Sequence, residues 1–192
     1  LIQRSGHIKL TDFSISKQNI GNNGRTFTYC GTMQYLPPEF LFGNGFSHDS
    51  DWWAFGVLMY LLLTSDFPFI GFTDEALFAN IKYNKPLISD YFKVETKSLL
   101  NLLLIKDPIQ RLGHGLKGDV FIRTHNYFVG INWNDVRNQK LDPPFLPEIN
   151  TDGLTDNFDE EFTHSLIQLT PPNELVIDKI DNNQLLGIDF TR

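Results

Sequence analysis

The sequence has one cysteine, no Asn-x-Ser/Thr acceptor and fewer basic than acidic residues. A lone thiol, Cys30, cannot close an intrachain disulfide and reads as a small packed residue. Both absences point to a reducing, intracellular setting, cytoplasmic or nuclear. With 16 Lys+Arg against 23 Asp+Glu the formal net charge is −7. That deficit of positive charge argues against nucleic acid or an anionic membrane as the main partner. No apolar run reaches the ~18 residues of a membrane span. The longest, Trp52 to Leu63, stops short of that length and contains Gly56, so a soluble chain is expected. The first residue is Leu1, with no basic-then-apolar leader behind it, which suggests a fragment or a processed chain. The five histidines (7, 48, 114, 125 and 164) show no ligand spacing, and one cysteine cannot anchor a zinc site.

What is present is a globular composition. The 192 residues correspond to about one domain. A hydrophobic content of 41%, with 17 Phe, 3 Trp and 6 Tyr, is enough to build a core and excludes a disordered chain.

Alternation of polar and apolar residues from His7 to Thr11 predicts a short strand ending at Asp12-Phe13. Gly21-Asn22-Asn23-Gly24 is a loop by its turn chemistry. Glu39 to Phe42, behind Pro37-Pro38 and closed by Gly43-Asn44-Gly45, predicts a short helix. Asp49 or Ser50 is positioned to cap a second helix carrying the apolar run. Being apolar all round, that helix belongs at the centre of the core. Thr73, with Asp74 and Glu75 in the first turn, begins a third helix whose Leu77, Phe78 and Ile81 share a face. A fourth spans about Glu95 to Leu104, before Asp107-Pro108, and a last one Val120 to Phe128. Beyond residue 128, prolines and acidic stretches with isolated Phe residues predict an extended tail. The expected fold class is therefore mainly α, a helical bundle over 1–128 followed by a tail over 129–192.

The string Gly113-His114-Gly115-Leu116-Lys117-Gly118 has the Gly-x-Gly-x-x-Gly form, yet a helix and Asp107-Pro108 precede it instead of a strand. A phosphate cradle needs the strand before it, so this string reads as a loop. Asp12 is the stronger candidate: a carboxylate at a strand's end is placed to hold a metal ion against phosphate oxygens.

The pattern around Asp12 continues along the whole chain. Thr11-Asp12-Phe13 is followed by Tyr29-Cys30-Gly31-Thr32-x-x-Tyr35-Leu36-x-Pro38-Glu39 and by Asp51-Trp52-Trp53-Ala54-Phe55-Gly56. Then come Lys106-Asp107-Pro108-x-x-Arg111-Leu112-Gly113, His125-x-x-Phe128-x-x-Ile131-x-Trp133 and Pro143-Pro144-Phe145-x-Pro147. In this order the blocks resemble the C-terminal lobe and tail of an AGC-group serine/threonine protein kinase. The tail, with Asn157-Phe158-Asp159-Glu160-Glu161-Phe162, is most similar to the N-terminal kinase of the mitogen- and stress-activated and ribosomal-protein kinases.

The resemblance implies a role at each matching position. Asp12 would hold Mg²⁺ against the phosphates of ATP, with Phe158 also on the nucleotide side. Thr28 would be the activation-loop phosphosite, paired with Lys17. Gly31, Thr32, Gln34 and Leu61 would line the peptide site, and Glu39 with Arg111 would form a buried ion pair. Asp51 would brace the catalytic loop from the start of the central helix. Thr170 would be a tail phosphosite, and Leu185, Ile188, Asp189 and Phe190 occupy the hydrophobic motif, with a carboxylate at its phosphoacceptor position. Protein substrates and upstream activating kinases are the implied partners.

Departures from the pattern are also informative. Ser14 replaces the glycine after Asp12-Phe13, where a side chain restricts backbone freedom. Pro37 replaces a small residue. Gln34 and Leu61 stand where the group usually carries glutamates that receive a substrate arginine, a loss of ~1.5–3 kcal/mol per charge-assisted hydrogen bond. The 192 residues contain no strand-led Gly-rich loop, strand lysine or His-Arg-Asp segment. Alone they are expected to be inactive and to lay bare a hydrophobic floor. The alternative reading is a non-catalytic, pseudokinase-like scaffold or regulatory module.

Overall fold

The computed structural model describes residues 1–18, 20, 24–148, 155 and 157–166. Among them the architecture is mainly helical. The elements are α1 (Pro38–Leu41), α2 (His48–Thr64), α3 (Asp74–Tyr83), α4 (Val94–Leu103), α5 (Gly118–Arg123), α6 (Trp133–Arg137) and α7 (Glu160–Thr163). Short 3₁₀ turns lie at Met33–Tyr35 and Asn126–Phe128.

The long helix α2 is the axis around which the rest assembles. It begins at a reciprocal cap: Ser47 Oγ accepts from the Asp49 amide at 3.2 Å, and Ser50 Oγ accepts from the Ser47 amide at 3.0 Å. Two of the four orphan N–H groups of a helix start are satisfied in this way. The cap is thus Ser47, not Asp49 or Ser50. One side of α2, through Trp53 and Val57, packs with Phe69, Leu77, Ile81 and Leu104. The other side, through Met59 and Tyr60, packs with Leu99, Leu100, Leu103 and Ile122. Burial is not complete all round, because Leu58, Leu62 and Leu63 remain exposed.

The crossing of α2 on α4 is close because position 56 carries no side chain. A Cβ there would stand 2.9 Å from Leu103 Cβ and 3.1 Å from Leu104 Cδ2. Helix α3 is capped by Thr73, whose Oγ1 accepts from the Ala76 amide at 3.2 Å, and it buries Leu77 and Ile81.

Three expectations need correction. The strand from His7 to Thr11 is reduced to one antiparallel bridge, Ile2 to Ile8, within a turn-like loop. Polar–apolar alternation provides a face, but a strand also needs a neighbour of matching length. The helix predicted over Val120–Phe128 breaks after Arg123, because the His125 side chain accepts from the Tyr127 amide and starts a separate 3₁₀ turn. The tail is not wholly extended, since α6 and α7 lie within it.

The tail is fastened to the lobe at two places. Trp133 Nε1 donates to the Arg123 carbonyl at 3.0 Å, and its ring packs edge-on to Phe128 at 5.2 Å. Further along, Pro143 and the Phe145 carbonyl press on Gly6, which has φ +81°. A Cβ at residue 6 would lie 2.5 Å from that carbonyl oxygen, so glycine is required there for both its conformation and its size.

Candidate functional site

The most deeply buried part of the site is an ion pair. Arg111 Nη1 and Nη2 donate to Glu39 Oε1 and Oε2 at 2.9 and 2.8 Å, and both side chains are buried. Ser50 Oγ donates to Glu39 Oε1 at 3.1 Å. The remaining guanidinium hydrogens reach the carbonyls of Asp49 (2.7 Å), Ile105 (3.0 Å) and Lys106 (3.3 Å). The guanidinium also lies 5.2 Å from the Trp53 ring centroid. A bidentate pair with its spare donors engaged offsets the desolvation that would otherwise make two buried charges unfavourable. It ties α1 to the start of α2 and to the loop after α4.

Beside it, Lys106 donates to the Ile81 carbonyl and lies 3.8 Å from the Phe69 ring centroid. Burial, then the nearby Arg111 charge, pushes its ammonium down to about 8.

Segment 29–39 leads into this anchor at Glu39. Gly31 has φ +91° and, like Thr32, is exposed. Gln34 sits in the 3₁₀ turn, which packs on α2, the helix that carries Leu61. Both residues are half-buried. Neither supplies a carboxylate.

A cavity of about 320 Å³ opens at the amino-terminal end of α2, lined by Lys17, Thr26, Cys30, Phe46, His48 and Asp51 among others. His48 Nε2 meets the Ile20 carbonyl on one wall. Desolvation raises the Asp51 carboxyl above its ordinary range, opposed by the His48 charge. Lys17 and Asp51 therefore face one hollow. Thr28 is exposed and does not line it, and no hydrogen bond or ion pair joins Thr28 to Lys17 among the described residues.

Asp12 is exposed, with a left-handed backbone at φ 58°. Its Oδ1 accepts from the Ser14 hydroxyl at 2.6 Å and lies 3.4 Å from the Ser14 amide. These hydrogen bonds hold the carboxyl below its ordinary range. Among the described residues no group of three His, Cys, Asp or Glu is arranged to cage a cation. One exposed carboxylate suits Mg²⁺ bound through phosphate oxygens and water, because that ion takes only one or two protein carboxylates in such sites.

Phe158 is exposed in the turn before α7. Thr170, Leu185, Ile188, Asp189 and Phe190 lie outside the described residues. Three participants escaped the sequence reading: Ser50 on Glu39, the Asp49 carbonyl on Arg111, and His114, whose Nδ1 lies 3.1 Å from the Asp49 carboxylate. The Ser50 contact to Glu39 spans eleven positions and carried no sequence sign. Nothing in the sequence marked the other two.

Against this geometry the comparisons are specific. The family model described as protein kinase domain matches residues 1–127, and the model described as protein kinase C terminal domain matches 149–187. The chain belongs to the protein kinase family. Its tail and relatives place it in the AGC group.

Similar proteins include RAC-beta serine/threonine-protein kinase A of Xenopus laevis, 40% identical over 98% of this chain and 38% of that protein. Protein kinase C delta type of Mus musculus is 37% identical over 99% of this chain and 28% of its own length. Protein kinase C-like 2 of Schizosaccharomyces pombe is 36% identical over 95% and 18%. The chain thus spans well under half the length of these relatives. None of the three is a mitogen- and stress-activated or ribosomal-protein kinase, so what they share with this chain is the AGC group.

Proposed function

We propose that the complete protein is a serine/threonine kinase that transfers the γ-phosphate of MgATP to protein substrates in intracellular signalling, and that the present residues are its substrate-side lobe and tail. The observation that carries this reading is the buried Glu39–Arg111 pair. It fixes the segment beginning at Gly31 and Thr32 against α2, giving a peptide a rigid floor. When bound, Mg²⁺ supplies positive charge that neutralises the phosphate oxygens during transfer. Asp12 holds the metal from this side, and Phe158 of the tail contributes to the nucleotide site.

Thr28 is the regulatory acceptor. Its exposure leaves it open to an upstream kinase, and an added phosphate brings a charge of about −1.5 to −2 that Lys17 can partner. With Gln34 and Leu61 in place of carboxylates, the peptide site lacks charged acceptors for a substrate guanidinium. The expected substrate preference for arginine is therefore weak. Asp51, facing the cavity at the start of α2, braces the segment that carries the catalytic base.

The test is radiolabelled phosphate transfer to peptides with and without arginine before the acceptor. The complete protein is expected to turn over both, and the 192-residue chain neither. Nucleotide binding by the complete protein without any transfer would favour the non-catalytic scaffold instead, a reading to which Gln34 and Leu61 lend support.

A further inference from the structure

Ser14 stands where the kinase pattern carries glycine, yet the backbone there asks for none. Asp12, Ser65 and Gln139 are the non-glycine residues with positive φ among the described residues, and Ser14 is not one of them. A side chain is therefore carried at 14 without the strain that the sequence pattern implied. The hydroxyl this adds is used: Ser14 Oγ donates to Asp12 Oδ1 at 2.6 Å, whereas the amide, which a glycine would share, is 3.4 Å from the same oxygen. Both donors converge on Oδ1. Oδ2 accepts no hydrogen bond among the described residues.

We propose that Ser14 is a positioning residue for Asp12, its hydroxyl fixing the carboxylate's rotation so that Oδ2 is the oxygen offered to the cation. The inference rests on the reading of Asp12 as the Mg²⁺ ligand. Asp12 is exposed and receives no hydrogen bond from any other side chain of the described residues, so a carboxylate held by the long amide contact alone would sample several rotamers. Partners of this kind orient metal-binding carboxylates, and their removal typically weakens metal binding about 10–100-fold. A substitution that looks like erosion of the motif is thus a replacement of backbone orientation by side-chain orientation.

The test uses Mn²⁺ as the probe and the complete protein with a non-hydrolysable ATP analogue, following free Mn²⁺ by electron paramagnetic resonance. Ser14→Ala and Ser14→Gly are expected to weaken Mn²⁺ binding about tenfold. Ser14→Thr, which keeps the hydroxyl, should restore wild-type affinity. In turnover, the alanine variant should raise the Mg²⁺ concentration for half-maximal rate while leaving KM for the peptide unchanged. Asp12→Asn is the control. If Asp12→Asn abolishes Mn²⁺ binding and Ser14→Ala does not weaken it, the positioning role is overturned and the Asp12 reading stands. If Asp12→Asn binds Mn²⁺ as the wild type does, the Asp12 reading fails and the role of Ser14 fails with it.

Discussion

The segment from Pro38 to Leu112 and the first eighteen residues put their side chains to opposite uses. In the first, charged groups are inside: Glu39 and Arg111 are 3% and 2% exposed and fully engaged. In the second, apolar groups are outside: Ile8 is 80% exposed, Leu10 86% and Phe13 66%. A buried charge is tolerated only where every hydrogen-bonding position is met, and that requires a rigid surround. Exposed apolar side chains present surface for something else to cover. The helical lobe closes around its buried ion pair; the opening segment has no such buried centre.

The sharpest way to break that contrast is to remove one partner of the buried pair. Glu39→Ala leaves a guanidinium buried among carbonyls with no counter-charge, and we expect a loss of about 3–5 kcal/mol of stability. Arg111→Lys keeps the charge but cannot form the two-pronged contact or reach the Asp49 carbonyl as well, so it should rescue little. Urea denaturation followed by Trp fluorescence would measure both. A loss below ~1 kcal/mol for Glu39→Ala would mean that water enters the site and that the lobe is not closed there.

A smaller effect tests the same closure at the start of α2. Ser47→Ala removes the acceptor for the Asp49 amide at the helix start, and about 1 kcal/mol of stability should be lost. Ser47→Asp should hold most of it, since aspartate caps equally well and favours the positive end of the helix. The comparison of the two melting temperatures is the readout. Equal losses would place the importance of residue 47 outside the cap.

How far the sequence could be read follows the same division. Helices α3 and α4 were legible to within a residue or two because each has one apolar face, and α3 also has a strong N-cap in Thr73. The cap of α2 was misplaced because Asp49 and Ser50 are equally good capping residues, and only backbone geometry selects Ser47. The break at His125 was illegible, since it depends on a ring nitrogen accepting a backbone hydrogen bond. The strand failed because alternation records one face and says nothing of the partner. At the site, Glu39 and Arg111 stand 72 positions apart, so no spacing rule could join them, and only the resemblance singled them out. The Ser14 hydroxyl on Asp12 was visible as a departure from a pattern, but its use was not.

The smallest expected effect belongs to the exposed side of the contrast. Leu10→Ser and Ile8→Ser change side chains that are 86% and 80% exposed. Each should alter the stability of the 192-residue chain by no more than about 0.5 kcal/mol, as exposed substitutions away from special features do. Their effect on association should be larger than that on stability. Apolar surface that nothing covers favours contact between copies, so the wild-type chain should elute early and broadly on size exclusion, and the double substitution should shift it toward monomer. A loss of several kcal/mol for Leu10→Ser would show that the opening segment is covered in solution by some other part of the chain, and a wild-type chain that runs as a sharp monomer would point the same way. The two measurements are independent, because one reads burial through folding and the other through self-contact. Agreement between them would locate the uncovered surface at the residues named, and disagreement would move it elsewhere on the lobe.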